Sequence, residues 1–403
     1  MKHLKFYTYI LIIILLQSCI EPFDFTSTAV DKNLVVRAIL TNELKNHTIE
    51  LSNTIPIDST EAVPEENATI TITDNLGNIY NFNDTGSGVY ISTVQFAAVP
   101  NTSYTLNIQT QDGRAYSSTP ETLPQASQID DITATVENNN LNVPIISFKA
   151  SGKGNNPEGS YYRYEYDETY KIKTETWSSK KINVISATSP YQFELVEKDP
   201  DIYGIGFCYP TQKSKKILLT ETKTLSSDEV SNFTVREIPQ DSYLVGIRYS
   251  ILLRQYVLNR NTYEFYTLLN TFSDPNDIFS QTQVGNIASN ISSNSAPNED
   301  RVIGFFDVSS VVSKRVFFNR ADITTTGFIN YLGLGTCNDF PQPFVEFFGT
   351  SPLLDLLNTN YIFHSQPPTG IGSPPAGPYM LVLRPCGDCS HLGSVKQPSF
   401  WID

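Results

Sequence analysis

Four cysteines, Cys208, Cys337, Cys386 and Cys389, are the residues of this 403-residue chain whose type and number best suit chemistry. An even set favours two disulfides in an oxidising compartment, with three connectivities open. The spacing Cys386-Gly387-Asp388-Cys389 would also let that pair close a small loop of its own. The same spacing supports thiol redox chemistry when it opens a helix in a βαβ frame, but here it follows a strand-like run, Tyr379-Met380-Leu381-Val382-Leu383. A four-thiolate zinc site would call for two close pairs, whereas Cys208 and Cys337 lie 129 residues apart. Acid–base chemistry has less to work with. Beyond residue 18 the histidines are His47, His364 and His391, and no serine sits in a Gly-x-Ser-x-Gly elbow. His364, just before a Pro/Gly-rich stretch, reads as a loop or strand-end residue. Asp274-Pro275-Asn276-Asp277 lacks the Gly and distal Glu of a calcium loop. Gly333-Leu334-Gly335 and Gly370-Ile371-Gly372 read as turns, since neither has a third glycine opening a helix. A carboxylate pair for glycoside hydrolysis is set by fold and not by spacing, so it can hide among 42 acids. No catalytic residue, metal ligand or cofactor site is assigned on these grounds.

The remaining chemical candidate is a tyrosine row in Tyr161-Tyr162-Arg163-Tyr164-Glu165-Tyr166. On a strand, Tyr162, Tyr164 and Tyr166 share one face. Such a row suits a ligand or partner face, because aromatic rings stack on sugars and tyrosine is favoured at interfaces. A cross-strand ladder covering a sheet is the alternative, and the one we favour.

The elements that would position these residues are strands. Residues 34–125 alternate apolar and polar positions between turn signals: Ile70 and Ile72 face one way in Ala68-Thr69-Ile70-Thr71-Ile72-Thr73, and Asp74-Asn75-Leu76-Gly77-Asn78 turns that run into Ile79-Tyr80-Asn81-Phe82. Seven short strands without helical periodicity predict an immunoglobulin-like β-sandwich, one without the cysteine pair and core tryptophan of antibody domains. The Pro/Thr/Ser segment 118–124 marks its end. Residues 126–403 read as a larger β-rich domain with one or two short helices, the clearer near 261–272, where Asn261 and Glu264 suggest a capping box and Tyr263, Tyr266, Leu269 and Phe272 a stripe. A helical turn is expected at 353–357, and separate strands at 302–308 and 315–318. The fold class is mainly β.

Composition agrees. Only 17% of positions are charged and 12% are aromatic, which excludes a disordered or coiled-coil chain. Net charge −14 argues against nucleic acid, because phosphate binding needs an excess of clustered Lys/Arg.

The N-terminus reads as an address. Lys2 and Lys5 precede an apolar run, Tyr9–Leu16, too short to span a bilayer, which ends in Leu16-Gln17-Ser18-Cys19. This resembles a bacterial lipobox, with residues 1–18 cleaved, Cys19 diacylated and 19–33 an extended tether. Acylation with two or three chains gives a stable anchor. Cleavage removes two lysines and no acids, so the mature balance becomes 26 − 42 = −16. Glu21 and Asp24 behind Cys19 resemble surface-export signals of Bacteroidota lipoproteins, which points to an outer-membrane, cell-surface-facing location, with periplasmic facing as the alternative. Asp58-Ser59-Thr60 resembles a short O-glycosylation motif.

Taken together, Cys19 with its acidic tether, Leu34-Val35-Val36, Gly88-Val89-Tyr90, Tyr249 to Tyr256, Gly285-Asn286-Ile287, Ile303 to Ser310, Cys386-Gly387-Asp388-Cys389 and Phe400-Trp401 resemble a family of Bacteroidota outer-membrane lipoproteins catalogued as a domain of unknown function. That resemblance implies an envelope lipoprotein encoded beside TonB-dependent receptors, and it carries over no catalytic or binding residue. The expectation is a non-enzymatic binding or accessory module for a TonB-dependent transporter or assembly complex. The alternatives are an adhesin-like structural protein and a hydrolase or carbohydrate-active enzyme with unrecognised acids.

Overall fold

The computed structural model describes residues 33–54, 63–273, 289–296, 300–325, 337–368 and 377–403. Cys19 and its lipobox, Asp58-Ser59-Thr60, Asp274 to Asp277 and the Gly333 and Gly370 turns lie outside them.

The chain is mainly β, and one long strand, Val302–Asn319, organises it. Its first half runs parallel to Leu34–Thr41, from Leu34 opposite Val302 to Thr41 opposite Ser309. Its second half runs antiparallel to Arg248–Leu258, from Val257 opposite Ser310 to Arg248 opposite Asn319. The expected break between two strands is therefore absent. Ser309 and Ser310 look like a polar interruption in sequence, yet both are buried where the strand passes from one partner to the other.

On one side of this strand lies the stretch expected to be an immunoglobulin-like sandwich, whose strands follow one another in a single ladder. Leu34–Thr41 pairs with Thr48–Asn53, and the ladder continues through Val89–Ser92, Ile79–Asp84, Thr69–Asp74, Ser103–Gln109 and Ala115–Ser118. The period of two holds: Ile70 and Ile72 face inward with Leu34, Val36, Leu51, Tyr90 and Leu106. Burying an aliphatic or aromatic side chain contributes about 1.5–3 kcal/mol each, which sets the inward face. The 74–79 turn is built as its residues suggest. Asp74 Oδ1 accepts from the Leu76 and Asn78 amides at 3.0 and 2.8 Å, and Gly77 takes φ +89°. Residues far along the chain complete this core, because Ile291, Val302, Phe306 and Val308 join it.

On the other side, Arg248–Leu258 pairs with Tyr161–Lys173. A three-stranded sheet of Gln128–Asn138, Pro144–Lys153 and Glu229–Pro239 contributes Ile132, Ile146, Phe148 and Ile238 to a core shared with Tyr162, Tyr164, Tyr249 and Leu253. The helix Arg260–Ser273 covers part of the opposite face, with Tyr263 against Tyr161 at 4.7 Å. Its start differs from the expected capping box. The helix begins one residue earlier, and Glu264 pairs with Arg260 at 2.7 Å instead of capping Asn261. The expected helical turn is present as Pro352–Leu357, capped by the Ser351 hydroxyl.

Two disulfides tie the C-terminal part down, Cys208–Cys389 and Cys337–Cys386. The small Cys386–Cys389 loop does not form. The pairing also leaves no set of four thiolates for zinc. Trp401 packs edge-on between Tyr209 and Phe317, at 5.2 and 5.5 Å.

Candidate functional site

The tyrosine row does not form an exposed face. Tyr161–Lys173 is covered on both sides, so alternation alone could not tell a ligand face from a core face. Tyr164 is fully buried, stacks on Phe233 at 5.1 Å and donates to Gln255 Oε1 at 2.7 Å. Burial pushes its phenol well above the usual range. Tyr162 donates at 2.7 Å to Asp228 Oδ1, which also accepts from the Thr222 hydroxyl at 2.6 Å. Asp228 Oδ2 takes the Ser160 hydroxyl at 2.9 Å and the Asn156 amide at 3.1 Å. Burial alone would raise the Asp228 carboxyl, but these donors outweigh it and hold it below its ordinary value. This carboxylate is satisfied by four neutral donors and is structural. Only Tyr166 reaches partial exposure, at the wall of a cleft.

The other face of the same strand carries a buried ionic joint. Arg163 is 4% exposed and lies between the rings of Tyr256 and Tyr266, at 4.2 and 4.6 Å. It pairs with Glu165 and stands 3.9 Å from Asp307. Asp307, in the parallel half of the long strand, accepts from Tyr266 at 3.1 Å and from the Ser309 hydroxyl. Burial pushes Asp307 up, against the opposing pull of Arg163. Burial disfavours the Arg163 charge, but Tyr266, Glu165 and Asp307 together raise its proton affinity. Helix, long strand and second sheet meet at this cluster. Arg163 has its counter-charges in Glu165 and Asp307, although its Nε and Nη2 make no hydrogen bond among the described residues, and the cluster reads as a joint that fixes the helix.

Of the histidines beyond residue 18, His47 and His364 pack into the fold and His391 is exposed. His47 is buried, with Nε2 at 2.9 Å from the Phe96 carbonyl, and its desolvation lowers its pKa against that hydrogen bond. His364 lies in the strand Tyr361–Ser365 and stacks on Phe340 at 4.6 Å.

The exposed chemistry lies at a tip that the composition of the chain conceals. In Phe344-Val345-Glu346-Phe347-Phe348-Gly349-Thr350, Phe348 is 91% exposed and Phe347 51%. Phe347 stacks on Phe344 at 5.6 Å and meets Phe348 edge-on at 4.4 Å. The turn is tight: Phe347 and Thr350 exchange amide bonds of 2.8 and 3.1 Å. Phe348 takes φ +50° and Gly349 φ +78°. A bulky residue in the left-handed region carries a cost of about 1 kcal/mol or more. The tip is also braced. Glu346 accepts from the Ser189 hydroxyl at 2.6 Å and the Tyr191 amide at 3.3 Å, both in the loop of the Lys180–Ser186/Gln192–Glu197 hairpin, whose Val184 and Ile185 are exposed as well. The sequence signal for this tip was an aromatic pair set before a glycine, which periodicity analysis passes over.

The chain belongs to a known family: the model of DUF4249, a domain of unknown function, matches residues 20–315. The match ends inside the long strand, so the aromatic tip and three of the four disulfide cysteines lie beyond it. No curated protein matches the chain. No helix among the described residues is long and apolar enough to cross a membrane.

Proposed function

We propose that this chain is a lipid-anchored envelope protein that acts as a non-enzymatic binding or accessory module, docking on an outer-membrane protein such as a TonB-dependent transporter or assembly complex. The observation that carries the reading is the braced aromatic tip. Solvent-exposed Phe347 and Phe348, held by a turn that a smaller residue would satisfy at lower cost, match the buried aromatic anchors that dominate protein interfaces. Pre-organisation adds to this, because a rigid tip loses little entropy on docking. The lipobox-like N-terminus supports location at the membrane. A binding role over hydrolysis is supported by Glu168, the more buried acid of the cleft beside Tyr166, whose two oxygens are taken by Arg236 and Tyr249. Affinity purification from detergent-solubilised membranes tests the proposal. An outer-membrane protein should co-purify with the parent chain and be lost with Phe347→Ser/Phe348→Ser. Recovery of the parent chain alone, or unchanged recovery of the partner with the variant, would count against docking through this tip.

A further inference from the structure

The two sheets of the second core leave an open edge. On one sheet the outermost positions are the short strands Thr211–Lys213 and Leu218–Glu221, both paired to Tyr161–Lys173. On the other sheet the edge is Glu229–Pro239. Between the two short strands the chain leaves the ladder in an arch over residues 214–217, pinned by Ser214, whose amide donates to the Tyr166 carbonyl at 2.7 Å and whose hydroxyl accepts from the Tyr166 amide at 3.0 Å. The arch and the facing edge enclose a cleft of about 490 Å³, a size suited to a small ligand.

The lining is cationic in a chain that is strongly acidic overall. Lys213, Lys215 and Lys216 stand on the arch side, with Arg236 opposite. Arg236 is neutralised by its two bonds to Glu168, of 3.0 and 3.1 Å. The three lysines are not neutralised: among the described residues none of them makes an ion pair or a side-chain hydrogen bond, whereas the other described lysines, Lys173 apart, each have a partner. Glu237 is the other acid of the lining, leaving an excess of positive charge. The half-exposed Tyr166 ring with Leu218 and Val235 supplies apolar wall, and Thr234 and Gln212 supply neutral polar groups.

We infer that this cleft binds a small molecule carrying two or more anionic groups, carboxylate, phosphate or sulfate. Three ammonium groups that no carboxylate among the described residues satisfies, set around a concavity, attract such a ligand and give two or three charge-assisted contacts at once. The inference does not rest on docking through the aromatic tip.

Isothermal titration of the mature chain at about 50 mM salt, with citrate, inorganic pyrophosphate and a sulfated disaccharide as anions and sucrose as the neutral control, tests it. At least one anion should bind with a dissociation constant of about 1 mM or tighter, and sucrose should not. The preferred anion then names the group recognised. Lys213→Gln/Lys215→Gln/Lys216→Gln should weaken binding about ten-fold or more while leaving the melting temperature in place, because these side chains are exposed and unpaired. Raising salt to about 300 mM should weaken binding of the parent chain as well. Absence of binding by all three anions, or equal binding by the triple variant, overturns the assignment.

Discussion

Asp228 shows what a buried carboxylate demands of its neighbours. Its four donors come from Ser160, Tyr162, Thr222 and the Asn156 amide, and without them its charge could not sit in the core. Its folded pKa lies below the unfolded value of 3.8. The stabilisation it contributes is therefore fully present above that value and is lost as pH falls through the lower, folded one. Asp228→Asn places amide hydrogens against hydroxyl donors and should cost about 1–3 kcal/mol at neutral pH. Urea melts at pH 7 and at pH 3 check this, and the gap between parent and variant should narrow on acidification. A gap that is constant or widens would contradict the assignment of Asp228 as the ionised acceptor. Tyr162 was visible in the sequence as one of a row, but its partner lies 66 residues away, and no local pattern reports that.

At the scale of elements, the parallel pairing of Leu34–Thr41 with the long strand depends on one backbone approach. Gly304 takes φ +132° opposite Val36, and a Cβ there would lie 1.9 Å from the Val36 carbonyl oxygen. A methyl group at this position must push the two strands apart. Gly304→Ala should therefore destabilise the fold by more than about 2 kcal/mol, read as a lowered midpoint in thermal or urea unfolding. A midpoint within error of the parent would show that the strands do not approach this closely. The hairpins of the first ladder were legible because their turns are local: Asp74 and Gly77 solve the turn with their own atoms. The long strand was not, because Ser309 and Ser310 are polar and yet buried, and only their position between two different partner strands explains why.

For the whole molecule, the C-terminal part is held to the second core by its disulfides. The Cys337–Cys386 link spans 49 residues and the Cys208–Cys389 link 181. Closing loops of this length stabilises by roughly 2–5 kcal/mol. Cys337→Ser/Cys386→Ser should release the segment that carries the aromatic tip to proteolysis before the rest of the chain, because Leu34–Thr41 and Arg248–Leu258 keep their ladders to Val302–Asn319. Mass spectrometry of limited digests would show early cuts between 337 and 386. Uniform digestion of parent and variant would mean that the remaining disulfide and the packing of Trp401 suffice.

The sequence by itself determined the class of fold, since alternation with a period of two and turn residues act within a few positions. It also favoured pairing of the four cysteines, since their even number needs no coordinates, and the structure forms both disulfides. Which cysteine meets which was a matter for the tertiary structure, because the four lie on segments brought together only by long-range pairing. The same holds for the fate of the tyrosines: a strand covered on one face and a strand covered on both read alike along the chain. Lys213, Lys215 and Lys216 fall within four residues, where the acidic net charge masks them, but what distinguishes them is that none makes an ion pair among the described residues while all three line a concave edge. Partners are set by distance in space, and only packing of the two sheets decided it.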